Sequence, residues 1–374
     1  MPYMATRTSS STSPGSDKTF AERQAAALHE LRGLHFVRPK PGLRLLAFDD
    51  GGARGLSMLL LLRNMLRDVE KLSQEPGLPC QYFDLIAGSG TGGFIALLLG
   101  RLRLSMNDAI QCYMRVVERV FMRTKAGGNF RVTPFEEVLK EIMDRFGDGD
   151  DTQMIGERGP RCRTFVCVRE DDSSGSIKPQ KLRTYAHPAE PPYQCTFLEA
   201  VRATMGNPAL FKPPVISNDN GTTTTFLDAG DDHYNPVYDL YDEAMSLFPS
   251  RNVAYLVSFG PGRASTIDLN PPKGILQQPR LPPICLSTMH HLADRCDATS
   301  DAFIRDNPEL QRVYYRFTHD QGSVDGKMAK WEQVEALKEF LRPYLFAVED
   351  RAFELVGKLM DERETALKAS RRGR

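Results

Sequence analysis

The feature that most constrains the fold is a glycine-rich turn between two apolar runs, in the segment from Tyr82 to Gly100. The run before the turn has the length of a buried strand, and the run after it is long enough for a helix. We therefore predict a strand over 83–87 and a helix that starts at Gly93. Consecutive glycines let the backbone reverse sharply, because glycine lacks the side chain that restricts other residues. The segment predicts a strand–turn–helix unit of an α/β protein.

This turn has the spacing of a nucleophile elbow, in which glycines lie two residues before and two residues after a serine. Gly88 and Gly92 occupy the flanking positions, but Gly90 stands at the centre, where the serine is expected. Ser89 does not restore the motif, since the residues two positions before and after it are alanine and threonine. The sequence therefore predicts the scaffold of a serine hydrolase without its nucleophile.

A second glycine turn lies earlier in the chain, where a predicted strand over 43–48 runs into Gly51 and Gly52. Arg54 follows, and a helix is predicted from Leu56. Backbone N–H groups at such a turn, together with the start of a helix, can stabilise negative charge. We interpret the turn as a candidate oxyanion hole. The alternative is a tight turn that needs glycine only for its backbone geometry.

A third turn follows a β-branched strand predicted over 222–227, and it begins with Asp228. Open α/β sheets place their sites at the carboxyl ends of strands, where all three turns lie. A carboxylate there can act as the base or the orienting partner of a serine hydroxyl. Taken alone, an aspartate before Ala229 and Gly230 is more often a simple turn residue. Taken with the other two turns, Asp228 is a candidate site residue.

The order of predicted elements gives the fold class. Strands alternate with helices, which predicts a three-layer α/β/α fold with a mostly parallel central sheet. Residues 170–180 are predicted as a loop. We divide the 374 residues into a disordered N-terminus (1–16), an N-terminal helix and linker (17–38), a main domain (39–345), and a C-terminal helix with a basic tail (346–374).

Composition narrows the class of protein. The chain has 48 basic and 48 acidic residues, so its net charge gives no reason to expect nucleic acid as a partner. Its seven cysteines lack paired CxxC spacing, which favours reduced thiols and a cytoplasmic protein. No apolar run reaches the ~20 residues that span a bilayer.

Other patterns in the chain carry less weight. Residues 88–93 also fit G-x-G-x-x-G, with Asp108 about twenty residues further on, as in dinucleotide-binding proteins. However, the element after the predicted helix is a second helix rather than a strand. His233 and the pair at 290–291 could suggest a Ser-His-Asp triad, but no intact G-x-S-x-G exists in the chain. The acidic segment 144–151 lacks the spacing of a calcium loop.

The three turns, in this order, resemble the patatin-like phospholipase family, whose pattern is D-G-G-G-x-[KR]-G, then G-x-S-x-G, then D-G-[GA]. The likeness extends over about residues 40–345 and includes the segments 196–204, 235–236, 257–260 and 314–317. The resemblance implies an α/β/α fold and a serine–aspartate dyad rather than a triad. It also implies hydrolysis of acyl esters of phospholipids or acylglycerols, with no metal or cofactor.

Residue by residue, the resemblance makes Asp228 the dyad aspartate and places Gly90 at the nucleophile position. It assigns the remaining site residues to the oxyanion loop (Gly51, Gly52 and Arg54) and to the elbow (Gly88, Ser89 and Gly92). The chain also departs from the pattern at Asp50, where the family has the first of three glycines. A carboxylate at that point would disfavour negative charge on a substrate.

These observations predict a lipid acyl hydrolase by ancestry that is inactive or strongly impaired, because Gly90 carries no hydroxyl. One alternative is a lipid-binding or signalling module. Another is an active hydrolase that uses Ser89, or water activated by Asp228. The expected partner is a phospholipid or acylglycerol, with peripheral contact at membranes.

Overall fold

A computed structural model describes residues 41–74, 76–121, 125, 129–149, 151–156, 162–171, 176–217, 221, 223–262, 283–319, 341 and 343–372. The predicted N-terminal segments 1–16 and 17–38 lie outside these residues. The described residues all belong to one compact unit that begins at Pro41.

A mixed sheet forms the centre of this unit. Its strands are β1 (Leu43–Phe48), β2 (Leu85–Ser89), β3 (Arg163–Asp171), β4 (Ile177–Arg183), β5 (Val215–Ser217), β6 (Thr223–Leu227), β7 (Val253–Gly260) and β8 (Tyr314–Thr318). The order is β5-β6-β3-β2-β1-β7-β8, with β4 also paired to β3. Neighbours from β3 through β2, β1 and β7 to β8 are parallel, whereas β4, β5 and β6 pair in antiparallel fashion. The prediction of a mostly parallel central sheet is confirmed.

The α-helices of the described residues are α1 (Leu56–Ser73), α2 (Gly90–Gly100), α3 (Met106–Val116), α4 (Val132–Phe146), α5 (Phe197–Thr204), α6 (Val237–Leu247), α7 (Pro283–Asp306) and α8 (Glu349–Arg372). A short 3-10 turn, Gly52–Gly55, precedes α1, and a π-helical turn, Val117–Phe121, continues α3.

The sheet is covered on both faces, because the side chains of β1 alternate between two apolar clusters. Leu46 and Phe48 pack into a cluster that contains side chains of α1 and α2, whereas Leu45 and Ala47 pack with side chains of α6. Successive residues of a strand point to opposite faces, so a strand that is apolar throughout needs a helical layer on each side. The three-layer α/β/α prediction is confirmed.

The structure corrects several boundaries. The prediction of a loop over 170–180 is wrong for its two ends. Strand β3 extends to Asp171 and pairs with β4, which begins at Ile177. The two strands form an antiparallel hairpin, and no apolar run marks its tip in the sequence. At the elbow, β2 continues to Ser89 and α2 begins at Gly90, so the strand ends two residues later, and the helix begins three residues earlier, than predicted.

Candidate active site

The elbow has the backbone of a nucleophile turn. Ser89 is still extended, and Gly90 has a φ of +53°, in the left-handed region that glycine adopts at little cost. A β-carbon on Gly88 would collide with the carbonyl group of Gly92, and one on Gly92 would collide with the carbonyl oxygens that end β1. The glycines at 88 and 92 therefore allow β2, α2 and β1 to approach closely, as the elbow prediction requires.

The turn after β1 carries its own anion. The Asp50 Oδ1 atom accepts hydrogen bonds from Thr91 N at 3.1 Å, from Thr91 Oγ1 at 3.2 Å and from Gly52 N at 3.3 Å. In elbow-type hydrolases the N–H of the residue after the nucleophile is one of the oxyanion donors, and Thr91 holds that position. The donors expected for a substrate oxyanion thus bind a carboxylate of the protein itself.

The same carboxylate fills the space beside the elbow. A β-carbon added to Gly90 would overlap Cγ of Asp50, at a separation well inside van der Waals contact. Asp50 is buried, with 6% of its surface exposed. The space that a side chain at residue 90 would need is therefore occupied by the Asp50 carboxylate.

Burial and hydrogen bonding have opposite effects on the pKa of the Asp50 carboxyl group. Burial raises the pKa of its carboxyl group to about 6, although the hydrogen bond from the Thr91 amide lowers it. The negative charge of Asp228 raises the pKa further. The N-terminus of α2, where Thr91 lies, favours an anion, so the group remains largely ionised at neutral pH.

Asp228 lies immediately after β6 and is also buried. Its Oδ1 atom accepts a hydrogen bond from Arg169 at 2.8 Å, and its Oδ2 atom accepts one from Asn207 at 2.9 Å. Arg169 also donates to the main-chain oxygen of Asp228 at 2.9 Å. Burial, Asp228 and Asp50 together raise the pKa of Tyr234, so this phenol lies in the field of both carboxylates. Asp228, the predicted dyad aspartate, is held by Arg169 and Asn207.

The predicted oxyanion residues occupy the turn but point to different partners. Gly51 N donates to Thr91 Oγ1 at 3.1 Å, and Gly52, with a φ of +52°, donates to Asp50. The Arg54 guanidinium is buried and donates to the carbonyl of Gly262 at 2.7 Å, and burial lowers its pKa to about 10. Arg54 therefore ties the turn to the segment that follows β7.

A family model described as patatin-like phospholipase matches residues 46–240, slightly more than half of the chain, and this stretch contains all three turns. The chain belongs to the patatin-like phospholipase family.

The patatin-like chain is similar to several curated proteins. It is 28% identical to the calcium-independent phospholipase A2-gamma of Oryctolagus cuniculus over 258 residues, and 27% identical to that of Homo sapiens over 259 residues. Each match covers 64% of this chain and 31% of the relative, so the patatin-like chain matches about a third of the length of these proteins. It is also 24% identical to the "Probable inactive patatin-like protein 9" of Arabidopsis thaliana, over 50% of each chain.

Among solved structures, VipD from Legionella pneumophila covers 87% of this patatin-like chain, and the match covers 67% of VipD. The sequence identity is 11% and the TM-score is 0.39.

Ser89 belongs to the other face of the sheet. Leu85 and Ala87 of β2 pack in the cluster with α6, and the alternation of a strand sends the Ser89 side chain the same way. Its hydroxyl is buried and donates to the main-chain oxygen of His233. The His233 ring pairs with Asp239 at 2.8 Å, and this hydrogen bond raises its pKa. The structure thus brings Ser89 to the backbone of His233 rather than to its imidazole ring.

Sequence reasoning missed the partners that lock the site. Arg169 and Asn207 hold Asp228, and the Thr204 hydroxyl accepts from Gly90 N at 2.9 Å. Asp49 pairs with Arg316 of β8 at 2.6 Å, and burial raises the pKa of Asp49 to about 6 against that cation. These contacts join segments far apart in the chain, and the sequence carries no local signal for them.

Within the described residues, no cluster of three or more histidine, cysteine or acidic side chains could hold a metal ion. None of the helices found in those residues combines the length and apolar character needed to cross a bilayer.

Proposed function

We propose that this patatin-like protein descends from lipid acyl hydrolases but does not carry out serine-based acyl transfer. One observation carries the proposal: the residue at the centre of the elbow, in the left-handed conformation of a nucleophile, is Gly90. Serine hydrolysis begins with attack by a hydroxyl that forms an acyl-enzyme. Glycine supplies no atom that could form this bond.

The state of the oxyanion donors supports the proposal. Serine hydrolases that lose a catalytic residue keep ~10³–10⁴-fold acceleration over water, from substrate binding and from the oxyanion hole. Here Thr91 N and Gly52 N already bind the Asp50 carboxylate. The remaining source of acceleration is therefore also weakened, and we expect less than this remnant. The relative from Arabidopsis thaliana with "Probable inactive" in its name is consistent with such a loss within the family.

The two active-hydrolase alternatives have less support. The Ser89 hydroxyl is buried and engaged with the His233 carbonyl on the α6 side of the sheet. Water activated by Asp228 would need access to its carboxylate, and Asp228 is 1% exposed, paired with Arg169 and hydrogen-bonded to Asn207.

The test is hydrolysis of phospholipid vesicles and of a soluble short-chain ester by the purified chain, beside Asp228→Asn and Ser89→Ala. We expect all three proteins to give the same rate as buffer and to remain unlabelled by a fluorophosphonate probe. Hydrolysis that disappears in Asp228→Asn would refute the proposal. Hydrolysis that disappears only in Ser89→Ala would favour a displaced nucleophile.

A second candidate function is lipid binding without turnover, by a cytoplasmic protein that contacts membranes peripherally. A groove of about 450 Å³ lies between α1 and the segment 345–356, and its lining is mostly apolar with four polar or charged residues, Asn64, Asp68, Lys71 and Glu349. Its rim carries Leu72, Phe346 and Phe353, which are 55%, 78% and 69% exposed. Exposed phenylalanines beside a groove are typical of surfaces that contact lipid or another protein.

Sedimentation with phosphatidylcholine vesicles tests this candidate. We expect the purified chain to sediment with the vesicles and Phe346→Ser/Phe353→Ser to remain in the supernatant. Ile177→Ser is a matched control, because Ile177 is an exposed apolar residue (49%) on a different element, β4. Equal sedimentation of all three proteins would remove the groove from the lipid-binding proposal.

A further inference from the structure

The two departures from the family pattern, at residues 50 and 90, meet in space. They are 40 positions apart in the sequence and lie on the turns after two neighbouring parallel strands, β1 and β2. In the register of these strands Phe48 is opposite Gly88, so residues 50 and 90 each lie two positions after a paired residue. The Asp50 side chain points across the gap to the elbow, where its nearest donors are Thr91 N and Thr91 Oγ1.

The geometry points to a mutual dependence between these two residues: Asp50 is a permanent intramolecular ligand of the oxyanion site, and it holds that place because residue 90 has no side chain. This inference rests on the proposed function and adds the identity of the occupant. It also implies that the missing hydroxyl is not the only block to catalysis.

Steric exclusion is the first step. Any β-carbon on residue 90 overlaps three atoms of the Asp50 carboxylate group, namely Cγ, Oδ1 and Oδ2. Real β-carbons do not approach other heavy atoms this closely, so the carboxylate would have to leave. Its exit would break the hydrogen bonds from Thr91 and from Gly52 N. Serine at 90 and the Asp50 side chain in its present position are therefore incompatible.

The hydrogen bonds are the second step. A substrate oxyanion needs donors that are not otherwise engaged, and the acceptor already present is negatively charged. Asp50 is connected to its site by backbone N–H groups from two different turns, so it acts as the ligand of the preformed anion site. An external carboxylate or oxyanion would have to displace it and would also be repelled by the nearby charge of Asp228.

Contacts on both sides fix the backbone of Asp50. Cys296 Sγ approaches its main-chain oxygen at 4.0 Å, and its amide donates to the Tyr234 carbonyl at 2.9 Å. Asp49, the preceding residue, is fixed by its ion pair with Arg316. The backbone that carries Asp50 is thus held on both sides, and the conflict with a side chain at 90 must be resolved locally.

A thermal-denaturation cycle tests the dependence. Gly90→Ala and Gly90→Ser are each made in the natural chain and in the Asp50→Gly background, which restores the glycine of the family pattern. The left-handed φ at residue 90 penalises alanine and serine in both backgrounds, and the cycle subtracts this shared cost. We expect each substitution at 90 to lower Tm by several degrees in the natural chain and by less than about half as much in the Asp50→Gly background. Equal losses in both backgrounds would overturn the inference.

The rate of labelling by a fluorophosphonate is a second measure of how Asp50 affects residue 90. The probe has to reach a serine hydroxyl and place its oxygen at free oxyanion donors. We expect labelling of Asp50→Gly/Gly90→Ser and at least tenfold slower labelling of Gly90→Ser, which corresponds to about 1.4 kcal/mol of barrier. Asp50→Gly/Gly90→Ala is the matched control, because it opens the site without a hydroxyl.

The outcomes separate the two proposals. Equal labelling of Gly90→Ser and of the double variant would show that Asp50 is no obstacle, and would overturn the dependence. Absence of labelling in both, with the thermal coupling present, would confirm the occupant and contradict recoverable serine chemistry at this elbow. Hydrolysis by the unmodified chain would contradict the proposed function and leave the thermal cycle to decide the dependence.

Discussion

The turns after β1 and β2 lie side by side and have changed in opposite ways. The turn after β2 keeps the backbone of an elbow, with a left-handed residue at its centre, but lacks the side chain that would react. The turn after β1 keeps its N–H donors but has gained a side chain, Asp50, that uses them. The Asp50 carboxylate fills the space that a side chain at residue 90 would take, so the interior beside the elbow is well packed.

The turn after β1 contains two consecutive aspartates, Asp49 and Asp50, with different partners. Asp49 and Asp50 are both buried, and burial raises the pKa of each carboxyl group to about 6. Asp49 faces a cation, Arg316, whereas Asp50 is hydrogen-bonded to backbone amides and to a threonine hydroxyl. We infer that Asp49 belongs to the framework of the fold, whereas Asp50 is the occupant of a site.

The largest expected loss of stability follows from removing the ion pair between Asp49 and Arg316. Asp49→Ala leaves the largely buried Arg316 guanidinium with Asp297, at 3.1 Å, as a carboxylate partner but removes the closer one at 2.6 Å, so we expect the free energy of unfolding to fall by about 3 kcal/mol. Urea denaturation measures it. Asp50→Ala serves as the comparison and should lose clearly less. If the two losses are equal, the distinction between framework and occupant does not hold.

A β-carbon at Gly92 would clash with backbone atoms, whereas one at Gly90 would clash with the Asp50 side chain. A β-carbon on Gly92 would meet the carbonyl oxygens of Phe48 and Asp49, which cannot rotate away, so Gly92→Ala should lower the free energy of unfolding by about 3 kcal/mol. Gly357→Ala is the control, since a β-carbon there meets nothing within 4 Å and the helix should gain up to about 1 kcal/mol. Similar losses in both variants would argue against close strand packing at the elbow.

The raised pKa of Asp50 predicts a pH-dependent effect. The carboxyl group of Asp50 has a pKa of 3.8 in the unfolded chain and of about 6 in the folded protein, so the folded state binds the proton more tightly. The wild type therefore loses stability as the pH rises from 3.8 to about 6. Asp50→Asn has no such group. We expect the stability of Asp50→Asn relative to wild type to increase by on the order of 2–3 kcal/mol between pH 4 and pH 7. A difference that stays constant with pH would contradict the buried, ionisable occupant.

The smallest loss of stability is expected for Ser89→Ala. This substitution removes one buried hydrogen bond to the His233 carbonyl, so a loss of about 1 kcal/mol should appear in urea denaturation. In Asp50→Gly/Gly90→Ser, adding Ser89→Ala should leave the rate of fluorophosphonate labelling unchanged. A large drop in labelling would place Ser89 in the reacting site.

Much of the site could be predicted because its signals are local. Gly88, Gly90 and Gly92 indicate an elbow through their spacing alone, and the absence of a hydroxyl at 90 needs no coordinates. The strands before the first two turns contain apolar runs and the strand before the third is β-branched, so their positions were recognisable within a few residues. The helix α4 was not predicted, although its buried residues recur at helical spacing (Phe135, Val138, Leu139, Ile142 and Met143).

Other parts could not be predicted because their partners are distant in the chain. Arg169 and Asn207 reach Asp228 from other elements, and Arg316 reaches Asp49 from a strand more than 250 positions away. The sequence suggested that Asp50 would repel negative charge. It could not show that the carboxylate itself accepts hydrogen bonds from the expected oxyanion donors.

The sequence by itself determined the strands that carry the three turns, the family pattern and the absence of a hydroxyl at residue 90, since each depends on residues close together in the chain. Only the tertiary structure decided where the Asp50 carboxylate lies, which face of the sheet Ser89 serves and what holds Asp228. The physical reason is that parallel strand pairing brings together turns that the sequence separates. Burial and hydrogen bonding then fix charges whose positions no local pattern encodes.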